Sequence, residues 1–448
     1  MKTLELKAYL QCMDCHQVYP IDEVIFRCPS CNGLLDVKHD IEAIKQRSSI
    51  EWKSIFDERF RKGNYPYNSG VWGKKEWVLP FVKEENIVSL GEGATPLIPL
   101  TKYAQELGLQ ELWIKQSGVS HTGSFKDLGM TVLVSHVKQL IFAGKPIRAI
   151  SCASTGDTSA ALASYGAYAG IPVIIFLPKD KVSLAQLIQP ISNGALVLSL
   201  ETDFDGCMKL VQEITMDKDL GIYLANSLNP LRIEGQKTVG IEVIQQLQWE
   251  APDWFIIPGG NLGNVSALVE GLLLLKETQI INRLPRVAVA QSANANPLYR
   301  SFLNQFQTFE PIKAKNTLAS AIQIGNPVSF KRAKRALLLT DGVVEEATED
   351  ELANMAGYID RFGMYLDPHT AVAFVALDKL RRKNIILPKE RVVVISTAHG
   401  LKFTEFKLNY HKKQIPDVKS RFTNEPLVLE PNLDKIKLVI EKKLNQIS

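Results

Sequence analysis

Residues Trp254 to Asn264 read WFIIPGGNLGN. The apolar run Trp254 to Pro258 has the length and composition of a strand buried on both faces, and a helical pattern begins at Gly263 and runs to Thr278. A strand that passes through a Gly-rich turn into a helix is the repeating unit of a parallel α/β fold. The turn also predicts chemistry. Glycines allow the backbone close to an anion, while the free N–H groups and the dipole of the following helix attract it. Gly259, Gly260, Asn261, Leu262, Gly263 and Asn264 are therefore a candidate phosphate cradle. The turn lacks the Lys-Ser/Thr ending of a nucleotide P-loop and does not have dinucleotide spacing. Packing alone also produces such turns, so the reading needs support from elsewhere in the chain.

Working outward, the same alternation recurs on both sides. Ile147 to Cys152, Ile171 to Leu177 and Ala195 to Leu200 read as strands, with helices over Gly156 to Ala169 and Ser183 to Asn193. Arg286 to Gln291 and Arg391 to Ser396 are further strands, and Thr348 to Phe362 and Thr370 to Arg382 further helices. This pattern predicts two open, mainly parallel α/β domains. Ligands are then expected outside the carboxyl ends of the strands. The division expected is 41–129 with 226–430 for a large domain, 130–225 for a smaller one, and 431–448 for a C-terminal helix.

The first 40 residues differ in kind. Cys12/Cys15 and Cys28/Cys31 are paired with the two-residue gap that turns two thiolates towards one tetrahedral metal. A zinc-ribbon-like appendage follows, its site closed by four sulfurs and so structural in role; the alternative is a ribbon that has lost its metal. The chain's 448 residues exceed what one core usually supports. Its net charge of +4 is spread thinly, which argues against a nucleic-acid binder. The longest aliphatic run, Leu272 to Leu275, cannot span a bilayer, and Glu5 interrupts any leader-like opening, so a cytoplasmic protein without a membrane segment is expected.

One lysine stands out. In SHTGSFKDLG, Ser120 to Gly129, Lys126 opens an apolar helix among small and hydroxyl residues. Held against a core, its charged form is disfavoured and a nucleophilic amine results.

HTGSFKD, STGDT (Ser154 to Thr158), GGNLGN and TAHGLK (Thr397 to Lys402) occur here in the order found in threonine synthases. CASTGDTSAAL, DFDGCMKL, ANSLN, ASAIQIG and STAHGLKF make the resemblance closest to the plant-like branch of these pyridoxal-phosphate enzymes. It implies the fold of the tryptophan-synthase β-like group, fold type II, and a homodimer acting on O-phosphohomoserine. It further implies that Lys126 forms the aldimine, that Gly259 to Asn264 hold the cofactor phosphate, and that Thr397 faces the ring nitrogen. Ser154, Thr155, Asn226, Ser227 and Arg232 would hold the substrate phosphate. Taken without the resemblance, Arg232 reads equally well as a helix-surface arginine and Thr397 as a strand-end turn residue.

Two departures stand out: plant enzymes lack the cysteine ribbon, and many relatives have Asn where this chain has Asp157. Asp157 would face the cofactor's phenolic oxygen, and two anions there predict one shared proton and a raised carboxyl pKa. Its alternative role is a helix cap. Other functions on the same residues would be a related lyase, such as a threonine or serine dehydratase, or an inactive zinc-ribbon binding protein.

Overall fold

The computed structural model describes residues 5–154, 156–179 and 184–445. The chain begins with a small antiparallel sheet, β1 (Ala8–Cys12), β2 (Val18–Pro20) and β3 (Leu35–His39), in the order β2-β1-β3. It then lays down β4 (Leu97–Pro99) and β5 (Glu111–Gln116), the first strands of a large sheet. Before completing that sheet it builds a second one from β6 (Ala149–Ala153), β7 (Val173–Pro178), β8 (Leu196–Leu200) and β9 (Ile222–Leu224). It returns with β10 (Trp254–Pro258), β11 (Arg286–Ser292), β12 (Val343–Ala347) and β13 (Arg391–Ser396).

The large sheet runs β12-β11-β10-β13-β5-β4, parallel except for the edge strand β4. The smaller sheet runs β8-β7-β6-β9 and is wholly parallel. Alternating apolar runs and helical patterns thus become an α/β fold with two parallel sheets, as expected. The chain passes outward from β10 to β11 and β12, then comes back to insert β13 between β10 and β5. A reversal of this kind opens a crevice at the strand ends, because the connections leave towards opposite faces of the sheet.

Outside the N-terminal sheet four strands, β4, β5, β9 and β12, have no counterpart among those read from sequence, and each has a reason; β4 has only three residues. β9 has three residues, too few to show a period. β12 is VVEEA, and its two glutamates look like loop residues. In β5 the buried Lys115 breaks the apolar pattern; it is neutralised by Glu242 and also donates to Thr95 O at 2.7 Å.

The helix Lys126–Phe142 is enclosed on nearly every side, with Met130, Val132, Leu133, Val134 and Val137 wholly buried. Such a helix is held by packing rather than by amphipathicity. The N-terminal sheet docks by paired charges: Arg332 Nε donates to Asp36 Oδ1 at 2.8 Å, and His39 Nε2 lies 2.6 Å from Glu234 Oε2, which also pairs with Lys237. His39, buried beside Lys237, has its pKa lowered by both effects. The appendage therefore braces the helix Leu231–Gln236. Among the described residues no helix is long and apolar enough to cross a membrane.

Candidate active site

The ends of β10 and β13 and the first turn of the helix Lys126–Phe142 meet in one chamber. Gly260, Asn261, Leu262, Gly263 and Asn264 line one part of it. Asn264 Nδ2 donates to Pro258 O at 2.7 Å, and Asn261 O accepts Ser329 N–H at 3.1 Å, so the turn is anchored on both sides. Leu262 has φ of +66°, a left-handed position that folds successive N–H groups towards one concavity. No acceptor among the described residues takes the N–H groups of residues 260–264. A Cβ at Gly260 would lie 2.9 Å from Ile322 Cα, and one at Gly259 would lie 2.6 Å from Val289 Cγ1. The cradle therefore needs glycine at both positions. Gly259 stands behind the lining, its N–H bonded to Ala290 O at 2.8 Å.

Lys126 reaches the chamber from the start of its helix, and burial, reinforced by the positive charge of Arg232 and opposed by Asp157, lowers its pKa to about 7. The preceding loop is fixed from within. Asp127 accepts from Thr122 N at 2.7 Å and from Thr122 Oγ1 at 2.5 Å; burial still lifts its pKa to about 6. Phe125 N–H bonds to Thr397 O at 2.9 Å, which ties the lysine's helix to the end of β13. Thr397 N donates to Thr370 Oγ1 at 3.1 Å, while among the described residues its own hydroxyl has no hydrogen-bond partner.

Arg232 is 5% exposed and lines the same chamber. It donates to Ala225 O at 3.3 Å and Thr158 Oγ1 at 3.1 Å, and no carboxylate among the described residues pairs with it. Burial lowers its pKa to about 10. A buried guanidinium without a counter-charge is costly. An anionic ligand would supply the missing charge.

Of the other expected phosphate contacts, Ser227 lines the chamber but Ser154 and Asn226 do not. Ser154 Oγ accepts the N–H groups of Gly156 and Ser159, each at 3.3 Å. Asn226 brackets Ala153, accepting its N–H at 3.0 Å and donating to its carbonyl at 2.9 Å. Both side chains shape the turn after β6. Thr155 lies outside the described residues.

Asp157 lines the chamber, and its environment alters the expectation of a shared proton. Lys402 Nζ lies 2.9 Å from Asp157 Oδ1, a counter-charge that the sequence did not reveal. Nor does Asp157 cap its helix, since the N-cap is Gly156 and no side-chain cap bond forms.

Sequence reading also passed over His369. It lines the chamber with Nδ1 at 2.6 Å from Asp367 Oδ1, while Nε2 accepts Ala321 N–H at 2.9 Å. An imidazole that accepts at Nε2 carries its proton on Nδ1. Asp367 also accepts from Thr370 Oγ1, so one buried carboxylate supports both the Ala321–Ile322 roof over Gly260 and the Thr397 backbone. The segment DPHT at a helix start was its only sequence signal, and there it reads as a cap.

In the N-terminal appendage the Sγ atoms of Cys12, Cys15, Cys28 and Cys31 all lie within 4.8 Å of one another. Four sulfurs about 2.3 Å from a tetrahedral zinc would stand roughly 3.8 Å apart, so the cluster fits that ion.

The model of the pyridoxal-phosphate dependent enzyme family matches residues 88–398. Threonine synthase 2, chloroplastic, of Arabidopsis thaliana is 52% identical over 428 residues, covering 95% of this chain and 82% of that one. Threonine synthase of Methanocaldococcus jannaschii is 37% identical over 433 residues, 96% of this chain and 99% of that one. Among solved structures, threonine synthase from Escherichia coli superposes with a TM-score of 0.66 at 20% identity, over 97% of this chain and 100% of that one. The yeast threonine synthase gives 0.65 at 18% identity, over 98% and 99%. At such identities the structures establish the shared fold.

Proposed function

We propose, for a chain that belongs to the threonine synthases of the pyridoxal-phosphate dependent enzyme family, that its chamber converts O-phospho-L-homoserine and water to L-threonine and phosphate, the last step of threonine biosynthesis. The observation that carries this reading is Arg232, a buried guanidinium with no carboxylate partner among the described residues, opening on the same chamber as the glycine cradle. One chamber thus offers two separate anion sites. The cradle suits the cofactor's phosphate, because N–H groups and a helix start bind a monoester without a side-chain charge. Arg232, with Ser227, suits the phosphate of the substrate, since its planar fork matches phosphate oxygens.

The residues present fit pyridoxal phosphate: a lysine whose pKa is lowered to about 7, a phosphate cradle, a hydroxyl at Thr397 free of partners among the described residues, and a carboxylate at Asp157. When bound, the cofactor supplies an electron sink for negative charge developing on the substrate. Lys126 holds the cofactor and, as a neutral amine, takes and returns protons at the substrate's Cα and Cβ. Thr397 offers a hydroxyl to the ring nitrogen, which it can bond but cannot protonate as a carboxylic acid would. Arg232 and Ser227 hold the leaving phosphate, which positions the γ-carbon and excludes unphosphorylated homoserine.

The reading extends to a structural zinc on Cys12, Cys15, Cys28 and Cys31, supported by the convergence of the four sulfurs, and to a cytoplasmic homodimer. The two parallel sheets support 130–225 as the smaller domain, set within a large one of 41–129 and 226–430. Lys126→Ala tests the assignment: it should keep the fold, because alanine is a good helix former, yet lose both the visible cofactor band and phosphate release from O-phosphohomoserine. Wild-type turnover in that variant would refute it.

A further inference from the structure

After β13 the chain turns sharply. His399 Nδ1 accepts Leu401 N–H at 3.2 Å, and within a few residues of Thr397 the side chain of Lys402 is directed back towards the chamber wall. Lys402 Nζ donates to Thr122 O at 3.0 Å as well as pairing with Asp157 at 2.9 Å, and only 13% of its side chain is exposed. Its methylenes run over Gly123, where a Cβ would come within 3.1 Å of Lys402 Cδ; Gly123 itself has φ of +81°. The lysine is thus seated in a groove made for it. It joins three pieces: the loop before Lys126, the start of the helix Asp157–Ala169, and the turn after β13.

Resting on the cofactor assignment above, we propose that Lys402 is a positioning residue whose ion pair with Asp157 presents a fixed, nearly neutral edge to the cofactor's phenolic oxygen. Asp157 accepts a hydrogen bond from Lys402, where an Asn in related chains would offer an amide. An isolated carboxylate at that place would repel the phenolic oxygen, and an isolated ammonium would overstabilise its anion. Paired, each charge offsets part of the other's effect on the cofactor.

Among the described residues no second partner makes Lys402 redundant. Lys126 and Asp127 approach from one helix and Arg232 from another; His369 lines the same chamber, and His399 belongs to Lys402's own turn. Lys126 is given over to the cofactor and Arg232 donates to Ala225 O and Thr158 Oγ1, so neither takes the place of Lys402 as the hydrogen-bond partner of Asp157. Of these groups, Lys402 alone is in contact with Asp157.

The test is the pH titration of the cofactor's visible band, followed in the holoenzyme without substrate. Lys402→Gln removes a cation and should raise the midpoint by about one to two pH units; Asp157→Asn removes the anion and should lower it by a comparable amount. The double variant should return close to wild type, and Lys402→Arg should keep the wild-type midpoint. If Lys402→Gln loses the cofactor, the shift in Asp157→Asn and its reversal in the double variant carry the same test. Unchanged midpoints in both single variants, or additive shifts that fail to cancel, overturn the ion-pair proposal while leaving the cofactor assignment standing. A wild-type protein that takes up no pyridoxal phosphate overturns both.

Discussion

The two anion sites of the chamber are built on opposite principles. The cradle at Gly260 to Asn264 uses backbone N–H groups and a helix start, with no cation among its own residues. The Arg232 site uses a side-chain charge buried without a counter-ion among the described residues. A backbone site does not titrate and suits a group that stays bound. A buried unpaired charge costs stability when empty and is relieved when an anion enters, so it suits a group that comes and goes. The contrast assigns the resident phosphate to the first site and the transient one to the second.

The division is broken most sharply at Arg232. Arg232→Gln removes two or more charge-assisted hydrogen bonds to phosphate, each worth roughly 1.5–3 kcal/mol, so kcat/KM for O-phosphohomoserine should fall about 10²- to 10⁴-fold. Steady-state kinetics alongside the visible band should show this loss with cofactor content unchanged. Depleted cofactor would mean that the two sites are not separate.

Gly260→Ala probes the other side. The added Cβ meets the backbone of Ile322, which cannot rotate away, and overpacking of this kind costs about 1–3 kcal/mol. Retention of pyridoxal phosphate on dialysis should weaken about 10- to 100-fold, while KM for substrate at saturating cofactor stays within a few-fold of wild type.

A smaller effect separates the cradle from the lysine beside it. The N–H groups do not titrate in the accessible range, so the pH dependence of cofactor capture belongs to Lys126, whose pKa burial has lowered to about 7. The neutral amine predominates above that value. The rate at which cofactor-free protein develops the visible band should therefore rise about tenfold from pH 6 to pH 8. A flat profile would mean that the lysine is not the capturing group.

These two sites also mark how far the sequence could be read. A backbone site is written in local residues, so WFIIPGGNLGN was enough to place strand, turn and helix and to suggest an anion. Arg232 could not be distinguished from a surface arginine, because what matters there is the absence of a carboxylate from segments far away in the chain. The Lys402–Asp157 pair was hidden for the same reason: nothing local in STAHGLKF says that its lysine meets the turn after β6. Resemblance located Ser154 and Asn226 near the site but not their task, which is to hold the turn's backbone rather than to line the chamber. β9 and β12 escaped periodicity through brevity and through exposed-looking glutamates, whereas β10 and β13 were found because burial on both faces leaves an unbroken apolar run.

The most direct test of a chamber with two anion sites is product stoichiometry. Purified holoenzyme given O-phosphohomoserine should release one phosphate for each threonine formed, and homoserine under the same conditions should be inert. Phosphate released without threonine, or homoserine turned over as readily as its phosphate ester, would contradict the account.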